Sequence, residues 1–185
     1  MSTAPGTYGQ SRRGFFHGLA GLSVVAVADP ARLLADVRQE RVLSFAHTHT
    51  GESLTVSYFA DGDYLPEGLS RLNALLRDHR TGDEHPIDPA LFDILNDLRF
   101  ATGTREPFQV ISGYRSPATN AKLRGAGRGV AKRSLHMDGR AVDVRLADVK
   151  STALRDAALE LRRGGVGYYR ASDFVHVDTG RFRTW

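Results

Sequence analysis

Two short segments of alternating residues constrain this chain more than anything else in it. In Ala141–Leu146, Val142, Val144 and Leu146 form one row while Ala141, Asp143 and Arg145 form the other. In Phe174–Asp178, Val175 and Val177 are the apolar row, and Phe174, His176 and Asp178 project oppositely. Both segments read as strands with one face in the core. A carboxylate inside a strand is disfavoured, so Asp143 and Asp178, each flanked by apolar alternation, need a reason to be there. If the two strands pair, Asp143 and His176 share a face. His136 precedes Asp143 by seven residues with Gly139 between them, so a glycine turn can fold its ring back over the strand end. Two imidazoles and one carboxylate are the ligand count of a catalytic zinc site, which leaves a fourth position to water. Taken singly, each is an ordinary polar residue; grouped, His136, Asp143 and His176 are candidate ligands of one Zn2+.

The remaining chain reads as α+β. Arg41 to Phe59, broken at Thr50-Gly51-Glu52, alternates as a β-hairpin. Leu65 to Arg80 carries a helical stripe through Leu69, Leu72 and Leu76. Asp88-Pro89 is a cap and first-turn pair ahead of Leu91, Ile94, Leu95 and Leu98. Phe108 to Ser112 is a predicted strand, Ser116-Pro117 opens another helix, and Val149 to Arg163 forms one more, with Gly164-Gly165 as its stop. The expected architecture is a small, mainly antiparallel sheet with flanking helices.

The first residues read as an address. Ser11-Arg12-Arg13-Gly14-Phe15-Phe16 is a twin-arginine export signature. The apolar run Leu19–Ala28 that follows it is too short for a permanent span, and Ala26-Val27-Ala28 has the form of a cleavage site. The expectation is a twin-arginine signal peptide over 1–28 and a mature domain over 29–185, located in the periplasm or cell envelope. A leader with Arg12, Arg13 and no acid would take the formal charge from +4 to +2, which is no nucleic-acid footprint. The chain has no cysteine, so it has no disulfides and any metal must take nitrogen and oxygen ligands. A monomer without a permanent transmembrane segment is expected.

Ser134-x-His136-x-x-Gly139-x-Ala141-x-Asp143, followed by Phe174-Val175-His176-x-Asp178-Thr179-Gly180, resembles the zinc murein peptidases related to D-alanyl-D-alanine carboxypeptidases. The likeness continues through Ile111–Ser116 and Gly164–Tyr169, and back to Leu43-Ser44-Phe45 and Thr50-Gly51-Glu52, and it is greatest to the murein endopeptidase K group. The resemblance implies a hedgehog/DD-peptidase-like fold and zinc held by His136, Asp143 and His176. It also implies zinc-dependent hydrolysis of peptidoglycan peptide cross-links, with stem peptides as partners. It places Arg115 near the zinc as a substrate contact, and Ser134 is a second candidate. For the general base, Asp173 lies where relatives often carry a catalytic acid. Asp178 is the other candidate, with orientation of a ligand as its alternative role. Two further readings are a D-alanyl-D-alanine carboxypeptidase and a non-catalytic peptidoglycan-binding module. His47 and His49 would share a strand face but lack a third ligand nearby; with His17, His79 and His85, they fall outside the expected metal site.

Overall fold

The computed structural model describes residues 40–127 and 130–185, so the proposed leader lies outside the described residues. The hairpin forms as strands β1 (Arg41–His47) and β2 (Ser53–Ala60) around the turn at 48–52. A two-residue strand β3 (Asp63–Tyr64) extends it at the edge. The other strands are β4 (Phe108–Ser112), β5 (Ala141–Arg145), β6 (Gly165–Tyr169), β7 (Phe174–Asp178) and β8 (Arg183–Thr184). All belong to one sheet of order β3-β2-β1-β4-β5-β7-β6-β8. Among the described residues only β1/β4 and β6/β8 pair in parallel, so the sheet is mainly antiparallel.

Among the described residues four helices flank it: α1 (Pro66–Leu75), α2 (Pro89–Thr102), α3 (Pro117–Gly125) and α4 (Ser151–Leu161). The first three begin with proline, whose missing N–H costs nothing at the first helical position. Asp88 caps α2 through Ala90 N, and Ser116 caps α3 through Thr119 N. The stripes meet the sheet as expected, burying Leu72 and Leu76, then Leu91, Leu95 and Leu98, against Phe45, Phe108 and Val144.

Three boundaries differ from the sequence expectation, each for a tertiary reason. The first helix stops at Leu75, not Arg80. The carbonyl of Leu76 accepts the Tyr114 amide (2.7 Å), and the Asp78 side chain accepts from Arg80 N and Ser116 N instead of continuing a helix. The last helix ends at Leu161 with Arg162 in the left-handed region (φ 51°), so Gly164 and Gly165 are not its stop. They serve close approach: a Cβ on Gly164 would lie 1.6 Å from the Asp178 carbonyl oxygen, and one on Gly165 would lie 2.5 Å from the Asp178 carboxylate. In β4, Val110 faces Val144 but Ser112 faces Asp143. The extra residue is a bulge that turns Ser112 onto the Asp143 face.

Candidate metal centre

Strand pairing sets the floor of the site. β5 and β7 run antiparallel with Asp143 directly opposite His176, which puts both side chains on one face. His136 arrives from a 3-10 turn, Leu135–Asp138, closed by Gly139 at φ 64°. Gly139 is required there twice over, because a Cβ would also meet the Pro86 carbonyl oxygen at 2.1 Å. The three side chains are buried and converge: His136 Nε2 lies 3.2 Å from Asp143 Oδ1 and 3.2 Å from His176 Nδ1, and His176 Nδ1 lies 2.9 Å from Asp143 Oδ1.

The outer edges of the two rings fix which nitrogens are bare. His136 Nδ1 donates to the Gly113 carbonyl (2.8 Å), and His176 Nε2 donates to Asp178 Oδ2 (3.0 Å). Those tautomers, assigned from the partners, turn His136 Nε2 and His176 Nδ1 inward as lone pairs beside a carboxylate oxygen. Three acceptors facing one another at this range repel unless a cation sits among them. Their separations approach the ~3.3 Å expected between ligands around a tetrahedral ion with ~2.0–2.1 Å bonds, so the donor set fits such an ion. Burial pushes the His136 pKa down, outweighing Asp143, and keeps the ring neutral. Burial would raise the Asp143 pKa, but the two histidines hold it below the usual carboxylate range. Burial alone would lower the pKa of His176, yet the hydrogen bonds to Asp143 and Asp178 raise it; the proton this favours on Nδ1 is the one a metal ion replaces.

Asp178, one of the two candidate bases, is fully buried behind the His176 ring. Besides His176 it accepts from Gly165 N (3.0 Å), Gly180 N (2.8 Å) and both terminal nitrogens of Arg183 (3.1 and 2.7 Å). Such a carboxylate is committed to holding the ring and its tautomer. Trp185 adds a wall: its indole lies 5.1 Å from the His176 ring and 5.0 Å from the Arg183 guanidinium, and Nε1 donates to Tyr169 Oη. Neither Arg183 nor Trp185 was legible as part of the site from sequence, since their partners lie across strand pairings.

Asp173, the other candidate base, is not brought to the site. It takes a left-handed backbone (φ 50°) at the entrance to β7, and its carboxylate accepts from Ser151 Oγ (2.5 Å) at the start of α4. It faces a surface recess lined by Asp148, Lys150 and Ser151. Arg115 and Ser134 do line the cleft above the three ligands, a cavity of about 770 Å³. Arg115 is buried. Its Nη2 lies 3.5 Å from Asp143 Oδ2 and 3.3 Å from Ser112 Oγ, and its Nε has no hydrogen-bond partner. Among the described lining residues Asp143 is the only carboxylate, against Arg80, Arg115, Arg133 and Arg183. Three of the histidines set aside by the sequence reading form a group of their own, with His79 stacked on His49 at 4.3 Å and edge-on to His47 at 5.5 Å.

The comparison with known families decides the kinship. Residues 35–185 match the family described as peptidoglycan L,D-endopeptidase MepK. This chain belongs to that family. Escherichia coli (strain K12) peptidoglycan L,D-endopeptidase MepK is 44% identical over 168 residues, covering 91% of this chain and 92% of that protein. The probable peptidoglycan L,D-endopeptidase MepK of Haemophilus influenzae is 41% identical over 170 residues, 90% of this chain and 91% of its own length. Among solved structures, the Serratia marcescens L-Ala D-Glu endopeptidase ChiX overlaps with a TM-score of 0.38 at 23% identity, over 50% of this chain and 80% of that one. That overlap is too partial to bear on the site, whereas the MepK family match spans every residue of the metal centre.

Proposed function

We propose that this chain is a zinc-dependent peptidoglycan endopeptidase that hydrolyses peptide cross-links at an L,D bond and acts in the periplasm or cell envelope. One observation carries the reading: three potential ligand atoms converge in a basic cleft, in a chain closely related to L,D-endopeptidases. Peptidoglycan stem peptides are rich in carboxylates, and a cleft with four arginines and one already engaged acid attracts them.

His136 Nε2, an Asp143 oxygen and His176 Nδ1 would hold the zinc. Bound there, zinc would polarise the scissile carbonyl and supply a nucleophile at neutral pH. Asp178 keeps His176 in the required tautomer. Arg115 presents a desolvated guanidinium to substrate, where it can pair with a carboxylate or steady an oxyanion as charge develops. Ser134 offers a hydroxyl from the neighbouring wall. The chain works as a monomer, exported through the Arg12-Arg13 signature. No helix among the described residues is long and apolar enough to cross a membrane.

Product analysis on defined muropeptides tests the assignment. Cross-linked dimers should become monomers, and His136→Ala or His176→Ala should abolish both bound zinc and cleavage. Release of free D-alanine alone would make it a D-alanyl-D-alanine carboxypeptidase; binding without turnover would make it a peptidoglycan-binding module.

A further inference from the structure

Beyond the metal centre, the cleft has a second built feature. Sheet register locates it: His47 of β1 lies opposite Val110 of β4, and Ser112, two residues on, lies opposite Asp143. The turn after β1, which carries His49, therefore sits at the Asp143 end of the sheet, two strand spacings or ~10 Å away. His49 and Arg80 both line the cleft there.

Buried groups hold this corner in place. His47 Nδ1 accepts the amides of His49 (3.2 Å) and Thr50 (3.4 Å), shaping the turn. The ring of His49 lies flat on His79, 4.3 Å apart and 10° from parallel. Burial, then Arg80 and the neighbouring histidines, push the His79 pKa down to about 4, so the stack is not charged twice at neutral pH. Asp78, fully buried, accepts Arg80 N (3.0 Å) through one oxygen and Ser116 N (2.9 Å) and Oγ (2.7 Å) through the other. It thereby ties the loop bearing Arg80 to the segment bearing Arg115.

This corner holds donors without matching acceptors. Asp78 is turned away to Ser116, Glu52 is paired with Arg77, and the guanidinium of Arg80 has no carboxylate partner among the described residues. The buried Arg115 Nε, also without a partner, continues the same lining toward Asp143.

We propose that His49 and Arg80 form a second anion subsite of the cleft, which takes a free carboxylate of the stem peptide about three residues from the bond held at the metal centre. The spacing follows from ~10 Å divided by ~3.3–3.6 Å per extended residue. The subsite rests on the endopeptidase reading and adds a specificity to it: substrates with free carboxylates are preferred over the same peptides as carboxamides.

The test compares a cross-linked muropeptide with its carboxamide derivative on the zinc-loaded protein, by steady-state kinetics and by calorimetric titration. The wild type should favour the free acid by about 10-fold or more in kcat/KM, the scale of one charge-assisted hydrogen bond. Arg80→Gln should bring that ratio close to one through KM, with zinc content unchanged, and His49→Gln should shift it in the same direction. A wild-type ratio retained in Arg80→Gln would overturn the subsite. Titration separates the two claims: if the wild type binds both peptides but cuts neither, the endopeptidase reading falls, while the binding ratio of wild type to Arg80→Gln still decides the subsite.

Discussion

Replacing Asp178 by Asn tests how the site is built, because it keeps shape and removes one acceptor. Asp178 Oδ1 receives three donors, Gly165 N, Gly180 N and Arg183 Nη1, while Oδ2 receives two, His176 Nε2 and Arg183 Nη2. The single carbonyl oxygen of Asn must stay where two backbone amides need it, so its NH2 takes the Oδ2 position and faces His176. To accept from that NH2, the imidazole must bare Nε2 and carry its proton on Nδ1, the atom turned toward His136 and Asp143. That is the tautomer unable to bind metal. Loss of an outer partner of this kind costs about 10–100-fold in metal affinity, or about 1–3 kcal/mol. Competition with a chromophoric zinc chelator measures it, with circular dichroism to verify that the variant is folded. A zinc affinity within twofold of wild type would refute the role given to Asp178.

Three other outcomes are expected. Asp173→Ala should keep zinc and stay within a few-fold of wild-type turnover, since its carboxylate serves Ser151; a 100-fold loss in kcat, the scale of lost acid–base catalysis, would return the base role to it. At Asp78, burial raises the carboxyl pKa, but hydrogen bonds from Thr119, Ser116 and the Arg80 amide outweigh it and hold the value at about 2. A depressed pKa contributes stability above the unfolded value near 4 and loses it as pH falls through about 2. The contribution is ~2 kcal/mol, so Asp78→Asn should flatten thermal stability between pH 4 and 2, and an unchanged acid limb would contradict this. If the proposed export route holds, changing Arg12 and Arg13 together to Lys should leave uncleaved precursor in the cytoplasm, because such a pair is read as an address and not merely as positive charge; mass measurement of normal mature protein in the envelope fraction would count against export by this route.

The parts of this protein legible in its sequence are those fixed by local period or by caps. Alternation in Ala141–Leu146 and Phe174–Asp178 places Asp143 and His176 on one face, and the structure pairs them directly. Asp88-Pro89 and Ser116-Pro117 start helices because a side-chain acceptor and a proline each suit a helix N-terminus. What the sequence hides depends on partners distant along the chain. Asp173 lies where the family resemblance implies a catalytic acid, but its left-handed backbone and the hydroxyl of Ser151 turn it from the cleft. Gly164 and Gly165 look like a helix stop, yet they are small because Asp178 and Arg183 press against them. His49 has no local reason to face the cleft; β1 pairing with β4 puts it there, and the early end of α1 brings His79 against it and Arg80 into the same lining.

His136, Asp143 and His176 would each give one atom to the metal, so the most direct test locates a zinc ion on them. Anomalous diffraction at the zinc edge from crystals of the zinc-loaded protein should show one ion bonded to His136 Nε2, an Asp143 oxygen and His176 Nδ1, with Asp178 retained on His176 Nε2. Zinc bound at the His47, His49 and His79 group instead, or no zinc at the three residues when the folded protein is saturated with it, would contradict the account.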